Sequence, residues 1–284
     1  MFRAETLSGG DGPLHLALGP KSGPPLLLLH GVTRAGRDFT PLVPSLVPRW
    51  TVEALDFRGH GASGRAPGRY LVADYVRDVV AALQREGPAP AIVYGHSLGA
   101  MVAAGAAAAV PDRVRALVLE DPPFETMGEL IAQTQFLEYF AKMRALLSGE
   151  RSLVDLVQGL ADLTFAAPGG QPVRLGDVRD RAALRLAARC LADVDPFVLD
   201  PILERRWLGG FDRDGVFAAI QCPTLMLQAD PAAGGMLTDD AVRSASERIR
   251  DLSVVRFERT GHLIHWLDTP ALERAVLSFL ASLE

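Results

Sequence analysis

The stretch that decides the fold reads VYGHSLGAMVAAGAAAAV and runs from Val93 to Val110. An apolar strand pattern stops at Gly95, and a helix pattern of small residues follows Gly99. Between the two glycines stands Ser97, and G-x-S-x-G at a strand-to-helix junction is typical of a nucleophile elbow. A simple Gly-Ser turn at a helix start is the alternative. The strand pattern before the motif and the helix pattern after it favour the elbow.

Further short apolar runs surround this stretch and do not alternate cleanly between apolar and polar residues. Continuous apolar strands are typical of a parallel sheet that is covered on both faces. Helical patterns lie between most of them, which indicates βαβ units. The N-terminal segments FRAET and LHLAL predict a strand pair joined by a Gly-rich turn. The predicted strands are 24–31, 51–57, 90–95, 115–120, 223–229 and 253–258, and the predicted helices include 74–86, 239–250 and 271–283.

The alternation of strands and helices stops after Pro122-Pro123. Apolar residues then recur at helical spacing over 153–163 and about 177–193, with a loop rich in Gly and Pro at 167–173 between them. We therefore expect a helical insertion that forms a cap over Ser97. In this division, residues 1–122 and 220–284 form the core, and residues 123–219 form the cap.

A serine hydroxyl is a weak nucleophile, so it needs a base within hydrogen-bond reach and an acid that orients the base. His262 directly follows the last strand pattern and is the predicted base, whereas His265 is expected to be a packing residue or one that supports the site through another side chain. Asp230 follows a strand and precedes a proline, and we predict it as the acid. Asp121 also follows a strand at the same sheet edge and is the alternative acid.

Five motifs, in this order, resemble those of the α/β-hydrolase superfamily over nearly the whole chain. The fold that this resemblance implies is a mostly parallel sheet of about eight strands, with helices on both faces and an inserted helical cap. The motifs are LLLLHGV at 26–32, LDFRGHGASG at 55–64, the elbow GHSLGA, QADP and GHLIHW.

The same resemblance implies the identity of the site residues. It implies a catalytic triad of Ser97, Asp230 and His262. It also implies an oxyanion hole formed by the backbone N–H groups of Val32 and Leu98. Two preorganised donors of this kind stabilise the negative oxygen that forms during acyl transfer.

Other polar residues near these motifs have less specific interpretations. His30 and His60 are expected to hold loops by hydrogen bonds. Arg34 and Arg37 can recognise a substrate carboxylate or can lie in solvent at a helix start. The chain has no H-E-x-x-H sequence and no cysteine pair at ligand spacing, so we expect neither a metal nor another cofactor.

Composition limits the classes of function. The 284 residues include 49% hydrophobic residues and carry a net charge of -5, without the basic character of a nucleic-acid binder. No leader pattern or membrane-length apolar run is apparent, so we expect a cytoplasmic protein without membrane or nucleic-acid partners, of unknown oligomeric state. The two cysteines, Cys190 and Cys222, are expected to be buried thiols.

The leading functional prediction is a serine hydrolase that cleaves an uncharged carboxylic ester or lactone of moderate size through an acyl-enzyme. A second prediction keeps the triad but changes the chemistry to carbon–carbon or amide hydrolysis or to cofactor-free perhydrolysis. A third is a non-enzymatic small-molecule receptor, because fold alone does not determine function.

Overall fold

A computed structural model describes residues 2–85, 89–166 and 171–283 of the chain. Its main sheet has eight strands in the order β1-β2-β4-β3-β5-β6-β9-β10. The strands are β1 Arg3–Gly9, β2 Gly12–Leu18, β3 Pro25–Leu29, β4 Thr51–Leu55, β5 Ala91–His96, β6 Val114–Glu120, β7 Thr164–Ala166, β8 Pro172–Arg174, β9 Thr224–Ala229 and β10 Leu252–Phe257.

Helices connect most of these strands, and short 3-10 turns occur between them. The helices are α1 Val43–Leu46, α2 Val72–Gln84, α3 Leu98–Ala109, α4 Phe136–Leu146, α5 Leu153–Asp162, α6 Leu175–Val178, α7 Arg181–Ala192, α8 Asp200–Leu203, α9 Arg213–Ala219, α10 Asp239–Arg248, α11 Ile264–Leu267 and α12 Thr269–Ala281. The 3-10 turns are Gly36–Phe39, Pro111–Arg113, Ile131–Gln133, Pro196–Leu199 and Pro231–Ala233.

The sheet is parallel from β4 to β10, and β1 and β2 add an antiparallel edge. Successive side chains of a strand point to opposite faces. In β3, Leu27 and Leu29 join the core that contains α2 and α3, while Leu26 and Leu28 join the core that contains α12. The predicted fold of about eight mostly parallel strands with helices on both faces is therefore confirmed.

The segment between β6 and β9 contains α4 to α9 and the antiparallel pair β7-β8. This short hairpin was not part of the helical prediction, and residues 167–170 of the predicted loop lie outside the described residues. The segment contacts the loops that follow β3 and β4. Asp195 donates its N–H to Gly59 O at 2.8 Å and accepts the hydroxyl of Tyr70 at 2.6 Å, and Arg37 pairs with Asp193 at 3.3 Å.

Because β3 and β4 run parallel to β5, these loops lie at the edge of the sheet where β5 ends before Ser97. The inserted helices thus pack against the loops of this edge. The boundaries of the core and the cap, and a role of the cap over Ser97, stay predictions.

Two further sequence expectations concern the cysteines and the helices. Cys190 and Cys222 are both free thiols, but Cys222 is only partly buried. Burial raises the pKa of Cys190 to about 12 and that of Cys222 to about 11. None of the described helices combines the length and the apolar character that a bilayer span requires.

Candidate active site

Ser97 occupies the turn between β5 and α3 in a conformation that is rare for a residue with a side chain. Its φ is 55° and its ψ is -117°. Such a backbone costs on the order of 1–3 kcal/mol and persists only where the surrounding structure imposes it. Here the Ser97 N–H donates to Glu120 O at 2.9 Å, and Ser97 O accepts the Ala100 N–H at 3.0 Å. The predicted strand-turn-helix elbow is therefore present.

The glycines on either side of Ser97 are required by close backbone contacts. A Cβ at Gly95 would collide with the Gly99 carbonyl group. A Cβ at Gly99 would collide with the carbonyl oxygen of Leu29 at the end of β3. The elbow thus packs directly against the end of β3, which brings the loop after β3 to the serine.

This loop contains the backbone donor that was predicted for an oxyanion hole. A Cβ built on Gly31 would lie 3.3 Å from the Ser97 Cβ, so the residue before Val32 lies against the serine. Leu98 begins α3, whose N-terminal N–H groups point towards the turn. In the described part of the chain, neither the Val32 N–H nor the Leu98 N–H has an acceptor. Both donors are therefore available to a substrate oxygen.

His30 and His60 hold this loop, as the sequence suggested. His30 donates from Nδ1 to Gly31 O at 2.8 Å and accepts the Phe57 N–H on Nε2 at 3.0 Å. His60 accepts the Thr33 N–H on Nε2 at 3.3 Å. Burial lowers the pKa of His60 to about 3, so this ring is neutral and can accept that hydrogen bond.

His262 donates from Nδ1 to Asp121 Oδ2 at 2.6 Å. Asp121 is fully buried, and its carboxylate also accepts the backbone N–H groups of Ala229, Met236 and Leu237 at 2.7 to 3.2 Å. These bonds hold the carboxylate in place while one oxygen faces the imidazole. With Nδ1 protonated, Nε2 is left unprotonated and can act as a base.

The prediction that Asp230 orients His262 is wrong in this structure. Asp230 caps the 3-10 turn Pro231–Ala233 through an N–H bond from Ala232 at 2.8 Å, and its second oxygen accepts the Arg259 N–H at 2.9 Å. Both oxygens of the Asp230 carboxylate therefore accept backbone N–H groups and do not face His262. The alternative acid Asp121, one strand away at the end of β6, is the residue that contacts His262.

His262 is held beside the elbow through His96, the residue before Ser97. His96 donates from Nε2 to the carbonyl oxygen of His262 at 3.1 Å, and the two rings lie 4.7 Å apart. Among the described residues the Ser97 hydroxyl has no hydrogen-bond partner, His262 included. Catalytic hydrogen bonds are often long without substrate and tighten when it binds.

Asp38, His96 and His265 are the one group in the described ranges whose potential ligand atoms lie within 4.8 Å of one another, the proximity that a metal ion needs. Both ring nitrogens of His265 already face carboxylates, of Glu120 at 2.8 Å and of Asp38 at 3.3 Å. We therefore assign this group to an ion-pair network.

Two arginines lie near the loop that follows β3. Arg34 is 3.4 Å from Asp38, whereas Arg37 is half exposed and pairs with Asp193. Burial and the nearby charge of Arg34 lower the pKa of Arg179, which comes from the inserted segment. Within the described ranges Arg179 has no carboxylate within ion-pair distance. Of the two sequence expectations for these arginines, solvation holds for Arg37 but not for Arg34.

Comparisons with known proteins agree with the observed fold. A family model for the alpha/beta hydrolase fold matches residues 24–166. The chain is 29% identical over 271 residues to a 2-(acetamidomethylene)succinate hydrolase of Mesorhizobium japonicum. This alignment covers 91% of this chain and 88% of the relative. It is 33% identical over 212 residues to a pimeloyl-[acyl-carrier protein] methyl ester esterase of Chromobacterium violaceum, covering 66% and 81%.

Solved structures share the fold at lower sequence identity. The crystal structure of an E-2-(acetamidomethylene)succinate hydrolase superposes with a TM-score of 0.79 at 23% identity, covering 99% of this chain and 100% of the other. At this identity the likeness concerns the fold alone.

Proposed function

Since the chain belongs to the α/β-hydrolase family, we propose that it is a serine hydrolase that cleaves carboxylic esters or lactones through an acyl-enzyme on Ser97. The observation that carries the proposal is the 2.6 Å bond between His262 Nδ1 and Asp121, next to a serine held at φ 55°. A base, its orienting acid and a strained serine are the parts that acyl transfer requires.

The reaction begins when Ser97 Oγ attacks the carbonyl carbon and His262 Nε2 takes the hydroxyl proton. Asp121 stabilises the imidazolium that forms. The carbonyl oxygen becomes negative and accepts the N–H groups of Val32 and Leu98, and losing one such donor typically costs about 2.7–4 kcal/mol. Collapse of this intermediate breaks the carbon–oxygen bond, and His262 gives its proton to the leaving alcohol.

Deacylation repeats these steps with water. His262 removes a proton from a water molecule, which attacks the acyl carbon, and a second negative oxygen forms at the same donors. Collapse releases the carboxylic acid and returns the proton to Ser97. In a lactone, alcohol and acid belong to one molecule, so the ring opens and a hydroxy acid leaves.

A second candidate is amide hydrolysis of an acidic substrate by the same triad. Arg34 and Arg179 are favourable for a carboxylate, because Arg179 lies in a partly buried setting close to a second guanidinium. Two partly buried like charges close together are unfavourable, and a substrate anion between them would offset this cost. The relative from Mesorhizobium is named for a substrate that carries an acetamido group on a succinate. Such a substrate has both an amide bond and carboxylates.

One experiment separates these candidates. Purified protein is assayed with uncharged p-nitrophenyl esters of rising chain length, several lactones and 2-(acetamidomethylene)succinate. We expect turnover of short to medium esters or lactones. Turnover of the acidic amide alone, lost at least in part in Arg179→Gln, would instead favour the second candidate.

The role of Ser97 is tested in the same assays. Ser97→Ala should reduce turnover by on the order of 10⁶-fold, the cost of losing a triad nucleophile. Ser246→Ala, in the surface helix α10, is the matched control and should retain activity. A Ser97→Ala variant that keeps a tenth of wild-type activity refutes the assignment, as does a fluorophosphonate probe that labels a different serine.

A further inference from the structure

Directly below the candidate triad lies a buried ion cluster that the proposed reaction does not use. It consists of Asp38, Glu120 and His265, all fully buried. His265 donates from Nδ1 to Glu120 Oε1 at 2.8 Å, and its Nε2 lies 3.3 Å from Asp38 Oδ2. Because a carboxylate oxygen accepts, both ring nitrogens of His265 act as donors. The geometry therefore favours a positively charged ring between two carboxylates.

The cluster is connected to the segments that carry Asp121 and His262. Glu120 is the last residue of β6 and directly precedes Asp121, and His265, in α11, lies three residues after His262. The backbone N–H of His265 also donates to Glu120 Oε1, at 3.0 Å. The turn that carries His262 is thus tied to the strand end that carries its acid.

Other groups face the cluster from each element that packs against it. Tyr94 of β5 donates its hydroxyl to Glu120 at 2.5 Å. Trp266 donates its indole N–H to Asp38 at 3.2 Å, and Arg34 approaches Asp38 to 3.4 Å. The ring of His96 lies 4.9 Å from that of His265, and burial lowers its pKa to about 3, so it carries no charge.

The electrostatics agree with the geometry. Burial disfavours a charged His265, but the charge of Glu120 and the hydrogen bonds to Asp38 and Glu120 outweigh it and raise the pKa of His265 to about 9. Burial by itself would raise the pKa of the Glu120 carboxyl, but the charge of His265 outweighs burial and lowers this pKa. The three groups thus keep one another charged at neutral pH.

We propose that the charged ring of His265 is a positioning device: by joining Glu120 to Asp38, it fixes the turn from His262 to His265 and so holds the His262 ring beside Ser97. The inference rests on the proposed role of His262 as the base. When His265 loses its proton, one ring nitrogen no longer donates, and two buried carboxylates face each other without a cation between them. The turn then loosens and His262 leaves its productive position, where a displacement of about 1 Å can cost on the order of 10²-fold in rate.

The first test measures the rate at which a fluorophosphonate probe labels Ser97 as a function of pH, which requires no knowledge of the substrate. In the wild type the rate should fall as pH rises through about 9. In Glu120→Gln the fall should begin about 1–3 pH units lower, because an opposite charge in contact shifts a pKa by that amount.

The matched control is Glu53→Gln, which replaces a buried carboxylate of the inner strand β4 that pairs with Arg85, the residue after α2. This variant should keep the wild-type profile. A purely structural role for Glu120 would lower the rate equally at all pH values, and that result, or an unchanged profile in Glu120→Gln, overturns the proposal.

The second test reads the charge of the ring directly in the wild-type protein and does not depend on activity. Nitrogen NMR of wild-type protein with ¹⁵N-labelled histidine should show both ring nitrogens of His265 protonated at pH 7.5, with the signal assigned by its loss in His265→Gln. A ring with one unprotonated nitrogen overturns the inference alone. A wild-type protein in which Ser97 is not labelled at any pH, while His265 carries both protons, contradicts the proposed function instead.

Discussion

The choice of acid predicts opposite outcomes for two chemically identical substitutions, Asp121→Asn and Asp230→Asn. In Asp121→Asn, the side-chain oxygen can still accept the N–H groups of Ala229 and Leu237, which both bind Oδ1. The new amide NH₂ then replaces Oδ2, which faces the Met236 N–H at 2.7 Å and His262 Nδ1 at 2.6 Å. The amide NH₂ therefore faces two N–H donors, of Met236 and His262, where the carboxylate oxygen accepted two hydrogen bonds.

His262 can avoid this conflict only by moving its proton to Nε2. Nδ1 then accepts from the amide, and Nε2 carries the proton and so cannot take one from Ser97. In a serine protease the same tautomer error lowers kcat about 10⁴-fold, which corresponds to roughly 5.4 kcal/mol in the barrier. The unpaired Met236 N–H adds about 1–3 kcal/mol of lost stability.

Asp230→Asn should behave differently, because Asp230 does not contact His262: the amide oxygen can keep the Ala232 N–H, and only the hydrogen bond from the Arg259 N–H is lost, at a partly exposed site. An asparagine caps such a turn about as well as an aspartate. We therefore expect rates within a few-fold of wild type. The assay compares kcat on the best substrate of the panel and the rate of fluorophosphonate labelling, with urea unfolding to separate activity from stability. Equal losses in both variants, or a larger loss in Asp230→Asn, would refute the assignment of Asp121.

Two predictions concern stability. Gly99→Ala should destabilise the fold by at least the roughly 1–3 kcal/mol of an overpacked core, because the new Cβ collides with Leu29 O. The control variant Gly10→Ala places its Cβ in open space and should change the stability little. Equal urea midpoints for the two variants would contradict the packing argument. Because the pKa of His265 is raised, its stabilising contribution is complete below its unfolded value of about 6.5 and disappears as pH rises through about 9. The melting temperature should therefore fall between pH 7 and 10, and less in Glu120→Gln; parallel curves for the two proteins would show that the cluster does not contribute.

The sheet, its main helices and the elbow could be predicted from the sequence because their signals are local. Buried parallel strands are continuous apolar runs, and the helices between them repeat at 3.6 residues. The elbow needs glycines directly beside Ser97, so its geometry is contained within five consecutive residues. The same local character made His262 identifiable, since it directly follows the last strand.

The carboxylate partner of His262 could not be predicted in this way, because its identity depends on contacts between distant segments. Asp121 and Asp230 each follow a parallel strand, and β6 and β9 are neighbours that end at the same edge. Only the paths of the loops after these strands decide which carboxylate meets His262. A weak signal favoured Asp121, since Leu227 stands where the acid segment of the family usually has a glycine.

The charge of His265 is likewise a tertiary property. In the sequence this histidine stands in an apolar helix start, where packing is the ordinary expectation. Its two carboxylate partners come from residues 145 and 227 positions away. The sequence alone determined the fold and predicted Ser97 and His262 as site residues, because each of these signals lies among neighbours along the chain. The tertiary structure decided which carboxylate contacts His262 and which residues form the buried ion cluster, because long-range hydrogen bonds select among carboxylates that look alike in sequence.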